Sequence, residues 1–196
     1  MFALTIDQRL SRRGDDLVPE LLGLLGGVRT VLPFERTVGD EVQGLPADGR
    51  AALDALLIVL RDGRWSAGLG IGAVEHPLPA SVRAARGPAL LDARDAVERA
   101  KGAGPVRVSV ASSSAPDLAA EVEALIGLIG TMVLRRTSTQ WVVVDAVDAS
   151  ATQRAAAETL GVTPQNVSQT LTASAIGVER AGYPVLVRLL EEADAS

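Results

Sequence analysis

The spacing of hydrophobic positions divides the chain into two parts. In the first part, short apolar runs typical of strands alternate with apolar positions at helical spacing. The predicted strands are residues 2–7, 31–38, 41–45, 65–74 and 106–110, and the predicted helices are residues 16–25, 48–60 and 87–101. This βαββαβαβ order predicts an α+β domain whose sheet is covered by helices on one face, and its first six elements match the ferredoxin-like arrangement.

Glycines give this pattern two further features. Gly39-Asp40 lies between two strand-like runs and suits the tight turn of a hairpin, because glycine tolerates positive φ. Gly68, Gly70 and Gly72 follow one another at every second position of a predicted strand, so they lie on the same face. Such a face permits the close approach of a helix or a ligand.

The second part of the chain is predicted to be all helical. The segment 112–116 combines small polar residues with a proline, which places a domain boundary between residues 1–113 and 114–196. After it, an apolar stripe at helical spacing predicts a connecting helix, comprising Leu118, Val122, Leu125, Ile126, Ile129, Met132 and Val133. Such a stripe usually packs within one chain, but its length also suits the interface of a homodimer.

Two short helices are predicted between residues 152 and 175. Ser150 and Gln153 have the spacing of a capping box for the first helix, and Thr163 before Pro164 is typical of the start of the second. The spacing of Gln153, Ala157, Gly161, Val162 and Val167 resembles the helix-turn-helix of bacterial transcription regulators. In that arrangement Val167 is buried between the two helices.

The resemblance implies that the second helix contacts double-stranded DNA. Asn and Gln side chains can pair bidentately with adenine in the major groove. The residues expected on the outward face, which are the candidates for reading bases, are Thr163, Gln165, Asn166, Ser168, Gln169 and Thr170. Arg154 and Arg180 are the expected phosphate contacts. The alternative interpretation is a structural or partner-binding helical unit, since the second helix has no Lys or Arg.

Acidic residues are expected to meet at one place in the sheet. Asp7 ends the first strand, Asp40 and Glu41 lie at the hairpin, and the two strands are neighbours in a ferredoxin-like sheet. Carboxylates with room for water are the ligands that Mg²⁺ uses, commonly together with substrate phosphates. The alternative is a polar turn whose carboxylates are simply solvated.

Residues 38–42 (VGDEV) resemble the signature hairpin of GGDEF domains and nucleotidyl cyclases, whose fold is a palm. The resemblance implies that Asp40 is a metal ligand, that Glu41 is the catalytic acidic residue if the protein is an enzyme, and that Gly39 and Lys101 contact a nucleotide. Lys101 is the single lysine of the chain. Val38 and Val42 replace the glycine and the aromatic residue of the family signature, which weighs against nucleotide cyclisation.

A further resemblance covers nearly the whole chain. Asp7, residues 39–45 (GDEVQGL), residues 70–72 (GIG), Gly87-Pro88 and residues 153–170 are similar to the motifs of the SatD family of small bacterial proteins. This implies a palm-like domain followed by a C-terminal helix-turn-helix. It supports the architecture more than any particular activity.

Composition narrows the classes of function. The 196 residues include no cysteine, which excludes disulfides and thiolate metal sites and fits a reducing cytoplasm. We expect no signal peptide, because Arg9, Arg12 and Arg13 follow the first apolar run, and the longest apolar runs fall short of the roughly 20 residues of a membrane span. A net charge of −5 weighs against a general DNA-coating role. His76 is expected to be a loop residue, and the serines at 112–114 have no evident histidine base.

Three hypotheses follow. The first is a transcription regulator whose palm-like domain senses a small ligand or a nucleotide. The second is a metal-dependent nucleotide-binding or nucleotide-processing protein that uses Asp7, Asp40 and Glu41. The third is a non-catalytic interaction protein. Enzymatic activity is not established by the sequence, and the regulator is the favoured interpretation.

Overall fold

The computed structural model describes residues 1–9 and 14–196, so Arg12 and Arg13 lie outside the described residues. Within that part of the chain, a five-stranded mixed sheet combines with eight α-helices. The predicted α+β class is therefore confirmed.

The predicted elements are present with small changes at their ends. The strands are β1 (Phe2–Gln8), β2 (Thr30–Arg36), β3 (Glu41–Pro46), β4 (Trp65–Ile71) and β5 (Val108–Ala111). The helices are α1 (Val18–Leu25), α2 (Gly49–Asp62), α3 (Pro88–Gly102), α4 (Pro116–Arg135), α5 (Ser138–Asp148), α6 (Gln153–Leu160), α7 (Pro164–Ala173) and α8 (Ile176–Asp194).

The strands follow the order β2-β3-β1-β4-β5 across the sheet. β1 lies between β3 and β4 and is antiparallel to both, and β2 is antiparallel to β3. β5 is parallel to β4, which requires the crossover that α3 provides. The C-terminal end of β1 therefore lies beside the β2–β3 hairpin, as the positions of Asp7 and Glu41 in one register pair indicate.

Helices cover both faces of the sheet, so the prediction of helices on one face is wrong. Phe2, Leu4 and Ile6 of β1 point to one face, where they share a core with residues of α1, α2, α4 and α8. Ala3 points to the other face and packs in a second core with Ala89 of α3. The βαββαβαβ order alone could not distinguish these arrangements, because it does not specify on which face each crossover helix lies.

The glycines of β4 explain how α3 reaches the second face. A Cβ at Gly68 would lie 2.1 Å from the backbone nitrogen of Val97, and one at Gly70 would lie 1.9 Å from the carbonyl oxygen of Ala89. Any larger residue would therefore push α3 away from the sheet. The close approach predicted from the glycines is confirmed, and its occupant is a helix. Gly72 lies beyond the end of β4, which stops at Ile71, earlier than predicted.

The main core extends across the predicted domain boundary between residues 113 and 114. Val122, Ile126 and Ile129 of α4 and Leu186 and Leu190 of α8 belong to the same buried cluster as the β1 and β4 side chains. α4 and α8 therefore pack against the sheet. The predicted connecting helix is confirmed, and its apolar stripe faces the interior.

Helices α5, α6 and α7 have a small core of their own. Val143, Ala157 and Val167, one from each helix, are buried together. This three-helix unit lies between α4 and α8 in the chain. In the described part of the molecule, no helix is both long enough and apolar enough to cross a membrane.

Candidate functional site

The segment predicted as a helix-turn-helix is formed by α6 and α7. α6 ends at Gly161, which adopts a left-handed conformation with φ of 66° and donates its N–H to Ala157 and Glu158 carbonyl oxygens. α7 begins directly after Thr163, whose hydroxyl accepts a hydrogen bond from the backbone N–H of Asn166 at 3.2 Å. Glycine is favoured at such a C-terminus because the left-handed region is strained for other residues. The turn therefore occupies residues 161–163.

The start of α6 differs from the prediction. Thr152 is the N-terminal cap, and its hydroxyl accepts from the backbone N–H of Ala155 at 3.1 Å. Ser150 instead donates its backbone N–H to Val147 in the turn that ends α5. The predicted Ser150–Gln153 capping box is wrong, because two hydroxyl residues precede α6 and spacing alone cannot choose between them.

Packing fixes the angle between α6 and α7. Val167 is fully buried, as predicted, and contacts the small residue Ala157 in the cluster completed by Val143. Leu160 and Leu171 close the edges of this cluster. Because the buried side of α7 faces α5 and α6, the opposite side is left to solvent.

That opposite side carries the predicted base-reading residues. Thr163, Gln165, Asn166, Ser168 and Gln169 are exposed, and Thr170 is half-buried. Among the described residues, the amide side chains of Gln165, Asn166 and Gln169 make no hydrogen bond within the chain, so their donors and acceptors are available to a ligand. In the first turn of α7, Pro164 has no N–H, and the N–H groups of Asn166 and Val167 donate to Thr163, so the side chains and not the backbone are what this turn offers to a ligand.

The two arginines predicted to contact phosphates, Arg154 and Arg180, both form ion pairs within the chain, unlike the amide side chains of α7. Arg154 is 82% exposed and lies 3.4 Å from Glu158, a loose surface pair. Arg180 is held by Asp148 at 2.6 Å, which raises the pKa of its guanidinium. Exposed pairs are weak and exchange readily with other partners. Arg154 is thus the better placed of the two.

A buried polar cluster joins the three-helix unit to the rest of the molecule. Arg136, directly after α4, is fully buried and lies 2.6 Å from the carboxylate of Glu179 in α8. It also donates to the carbonyl oxygen of Ser174 at the end of α7, while Tyr183 donates to Glu179. Arg136 and Arg61 stack on Trp141 of α5, at 4.3 and 4.1 Å from the ring centre. This cluster was not predicted from the sequence, in which its one local signal is the Arg-Arg pair at residues 135–136.

The second predicted site lies at the β2–β3 hairpin. Gly39 has a φ of 61°, as expected for the turn, and Glu41 donates its backbone N–H to Val38 at 3.0 Å. Glu41 is the register partner of Asp7, but its carboxylate accepts a hydrogen bond from the Thr37 hydroxyl. Within residues 1–9 and 14–196, no three acidic or histidine side chains are arranged to hold a metal ion.

Asp7 and Lys101 form an ion pair across this face of the sheet. Their charged atoms are 2.9 Å apart, and Lys101 also contacts Glu98 at 2.7 Å. Partial burial and the nearby charge of Asp40 raise the pKa of Asp7, against the lowering effect of Lys101. Burial lowers the pKa of Lys101, but the hydrogen bonds to Glu98 and Asp7 raise it overall. The structure thus brings Asp7, a predicted metal ligand, and Lys101, a predicted nucleotide contact, together.

Two arginines that the sequence analysis did not single out complete this region. Arg9 and Arg107 line a cleft of about 260 Å³ together with Asp7, Lys101 and Ser66. Arg9 donates to the carbonyl oxygen of Gly63, and Arg107 donates to that of Lys101. In the described part of the chain, neither arginine has a carboxylate partner. The lining therefore holds three cations and one carboxylate, in a chain whose net charge is −5.

Comparisons with known proteins identified no relative of this chain. Protein-family models, curated proteins and solved structures were all compared with the chain, and none matches it. The functional interpretation therefore rests on the residues and their arrangement.

Proposed function

We propose that the protein is a DNA-binding transcription regulator, in which a palm-like domain of the SatD type carries a helix-turn-helix at residues 152–175. The observation that carries the proposal is the exposed face of α7, where three amide side chains have no partner among the described residues. Exposed amides on a helix that is locked on its other side by Val167 are suited to reading base edges.

The strand order supports the palm-like part of the proposal. In the ferredoxin-like arrangement, the first strand lies between the third and the fourth, and all neighbours are antiparallel. β2, β3, β1 and β4 follow this order and these directions. β5 and α3 are then an addition at one edge. The domain would sense a small ligand or nucleotide and alter how α7 is presented.

In this proposal α7 enters the major groove of double-stranded DNA with its N-terminal half. Gln165, Asn166 and Gln169 contact base edges, and Thr163, Ser168 and Thr170 contact bases or the adjacent sugar and phosphate groups. Arg154 releases its ion pair with Glu158 and contacts a DNA phosphate instead. A cytoplasmic homodimer would present two such helices to a site with two halves.

The test is selection of bound fragments from random duplex DNA at about 0.15 M salt, the physiological range. The wild type is compared with a Gln165→Ala/Asn166→Ala/Gln169→Ala variant and with a control variant, Arg94→Ala/Asp95→Ala, on the exposed side of α3. We expect the wild type and the control to enrich one shared sequence and the α7 variant to enrich none. Absence of enrichment by the wild type would contradict the proposal.

The cleft beside Asp7 supports a second candidate function, the binding of a nucleotide or another phosphate compound. Three cations that converge on one cleft in an acidic protein attract an anion, and two of them lack a carboxylate partner within the described residues. Arg107 and Lys101 would contact the phosphates, and Arg9 would contact their outer oxygens.

In this second candidate function, Mg²⁺ binds together with the nucleotide or phosphate compound. It commonly binds proteins through one or two carboxylates and completes its shell with water and phosphate oxygens. Asp7 and Glu41 are engaged by Lys101 and Thr37, but one carboxylate oxygen of Asp40, Oδ2, is buried and has no hydrogen-bond partner among the described residues. Asp40 is therefore the carboxylate that best fits the ion, and Glu41 has no role that the geometry favours.

Calorimetric titration with ATP, GTP and pyrophosphate, each with and without Mg²⁺, tests this candidate. We expect Lys101→Met and Arg107→Gln to weaken binding, and Arg86→Gln, an exposed arginine outside the cleft, to leave it unchanged. Asp40→Ala should remove only the part of the affinity that depends on Mg²⁺. No heat of binding with any of these compounds would exclude the candidate for nucleoside triphosphates and pyrophosphate.

A further inference from the structure

The outward face of α4 has a regular pattern that the core does not explain. While Val122, Ile126 and Ile129 are buried, six residues on the opposite side of the helix are all exposed: Asp117, Glu121, Ala124, Leu128, Thr131 and Arg135. They are separated alternately by four and three residues, which is the spacing that places side chains in one seam between two helices. The large apolar residue, Leu128, lies in the middle of the seam and is 66% exposed.

The seam is complementary to itself. Glu121 precedes Leu128 by two helical turns, and Arg135 follows it by two turns, each about 10 Å away along the axis. If a second α4 lies antiparallel to the first, with a two-fold axis at Leu128, Glu121 of each copy faces Arg135 of the other. Ala124 then faces the region of Thr131, where small side chains allow close packing.

Both charged residues are available for such a contact. Among the described residues, the ion pairs of α4 and of the residue that follows it use Glu123 and Arg136, and neither Glu121 nor Arg135 takes part in one. Two Glu–Arg contacts related by symmetry would fix the antiparallel direction, because a parallel pair would place like charges opposite each other.

α8 extends the apolar part of this surface. A Cβ at Gly182 would lie 3.7 Å from Cδ1 of Ile129, so this side of α8 faces α4. Val178 and Val185 are four and three residues from Gly182 and therefore lie on the same side, but they are 69% and 45% exposed. After Val38, Val178 and Leu128 are the most exposed large apolar residues of the described chain.

We propose that this face of α4 and α8 is the interface of a two-fold symmetric homodimer, with α4 antiparallel to α4 of the second copy. α4 is about 30 Å long, and two adjacent helices are roughly 20 Å wide, which gives on the order of 600 Å² for each copy. Stable interfaces bury about 800 Å² for each partner, so this one is at the small end of the range, and we expect the dimer to dissociate reversibly on dilution. The inference does not depend on DNA binding.

Sedimentation velocity across the micromolar range, without DNA, tests the association. We expect the wild type to shift from monomer to dimer and Leu128→Asp to remain monomeric. Leu91→Asp is the matched control, because Leu91 is 63% exposed on α3, away from the seam, and it should dimerise like the wild type. A monomeric wild type throughout, or a Leu128→Asp variant that dimerises normally, would overturn the proposal.

Charge exchange tests the direction of the helices. Glu121→Arg and Arg135→Glu should each weaken the dimer about tenfold, since each replaces two attractive contacts by two repulsive ones, and the double exchange should restore it. All these positions are exposed, so the fold should be retained, which circular dichroism verifies. A double exchange as weak as the single ones would contradict the antiparallel pairing.

A disulfide tests the position of the axis. The chain has no cysteine, so Leu128→Cys provides a single thiol in each copy. The two thiols meet at the axis, and we expect a covalent dimer on mild oxidation, whereas Leu91→Cys should give none above the level of random collision. If both variants cross-link equally, the axis does not lie at Leu128.

Discussion

Asp48 shows how one side chain starts a helix and makes its stability depend on pH. The residue precedes α2, and its carboxylate accepts a hydrogen bond from the backbone N–H of Ala51 at 2.8 Å. Arg29 contacts the other carboxylate oxygen. The backbone hydrogen bond and this arginine hold the pKa of Asp48 below its ordinary value of 3.8. The folded state therefore favours the charged carboxylate.

We predict that Asp48→Ala destabilises the fold by about 1 kcal/mol at neutral pH, because α2 loses its cap. Asp48→Asn should cost less, since an amide oxygen also caps a helix. Because the pKa of Asp48 is lowered in the folded state, its contribution is complete above 3.8 and is lost as the pH falls through the folded value.

Urea unfolding at neutral pH and through the acid range measures both effects. The difference in unfolding free energy between wild type and Asp48→Ala should shrink as the pH falls. A difference that stays constant through the acid range would contradict the role of the charged cap.

The pKa of Asp7 is shifted in the opposite direction to that of Asp48. Burial and the charge of Asp40 raise its pKa, so ionisation of Asp7 costs stability as the pH rises above its ordinary value. Lys101 compensates only in part. A carboxyl group whose charged form is disfavoured is common where a protein binds a ligand, because such sites are selected for function and not for stability.

At the scale of elements, most of the fold was predictable from the spacing of apolar residues. The five strands and the helices α1–α4, α6 and α7 were predicted in this way, whereas α5 and α8 were covered only by the expectation that residues 114–196 are helical. Gly39 and Gly161 mark turns because their φ angles are positive, and Pro164 marks the start of a helix. These signals are local, and a sequence contains them directly.

The features that could not be predicted from the sequence depend on contacts between distant segments of the chain. The side of the sheet on which α3 lies, the cleft formed by Arg9 and Arg107, and the buried pair of Arg136 and Glu179 each join residues far apart in the chain. No local pattern specifies such pairs. In the same way, the three carboxylates predicted to meet were placed near one another, but Thr37 and Lys101 hold two of them.

The pair of Arg136 and Glu179 fixes the three-helix unit to α4 and α8. Both side chains are almost completely buried, and Tyr183 and the carbonyl oxygen of Ser174 add hydrogen bonds to the pair, while Nη1 of Arg136 has no hydrogen-bond partner among the described residues. Burying a charge without its partner is strongly unfavourable, whereas a complete pair is tolerated. The orientation of α7 relative to the sheet therefore depends on this cluster.

We predict that Glu179→Gln lowers the free energy of unfolding by about 3–5 kcal/mol, because Arg136 is left as an unpaired buried charge. Tyr183→Phe removes one hydrogen bond to a charged group and should cost about 1–3 kcal/mol. Glu192→Gln on the same helix is the matched control. It breaks only the exposed pair with Arg188 and should cost less than about 1 kcal/mol. Urea denaturation measures all three, and a Glu179→Gln variant as stable as the control would show that the pair is not required.

On the scale of the whole molecule, the distribution of charge limits how the proposed DNA contact can form. The net charge is −5, and the cations of the sheet face that could attract a polyanion lie in the cleft of Arg9, Lys101 and Arg107. The α6–α7 pair contributes one arginine, Arg154, and one carboxylate, Glu158. If α7 binds DNA as proposed, the binding must depend on hydrogen bonds to bases more than on phosphate contacts.

This distribution predicts an unusually shallow dependence of DNA affinity on salt. Each phosphate contact adds about 0.9 to the slope of log affinity against log salt concentration, so one or two contacts per copy predict a slope of roughly 1–2 per half-site. Arg154→Ala should reduce that slope by about 1 and weaken binding to all sequences alike, whereas Arg94→Ala, an exposed arginine on α3, should change neither. Fluorescence anisotropy with the selected duplex over a range of salt concentrations measures both quantities. A slope of about 6 or more per half-site would require a basic surface that the α6–α7 pair does not have, and would place the DNA contact elsewhere on the molecule.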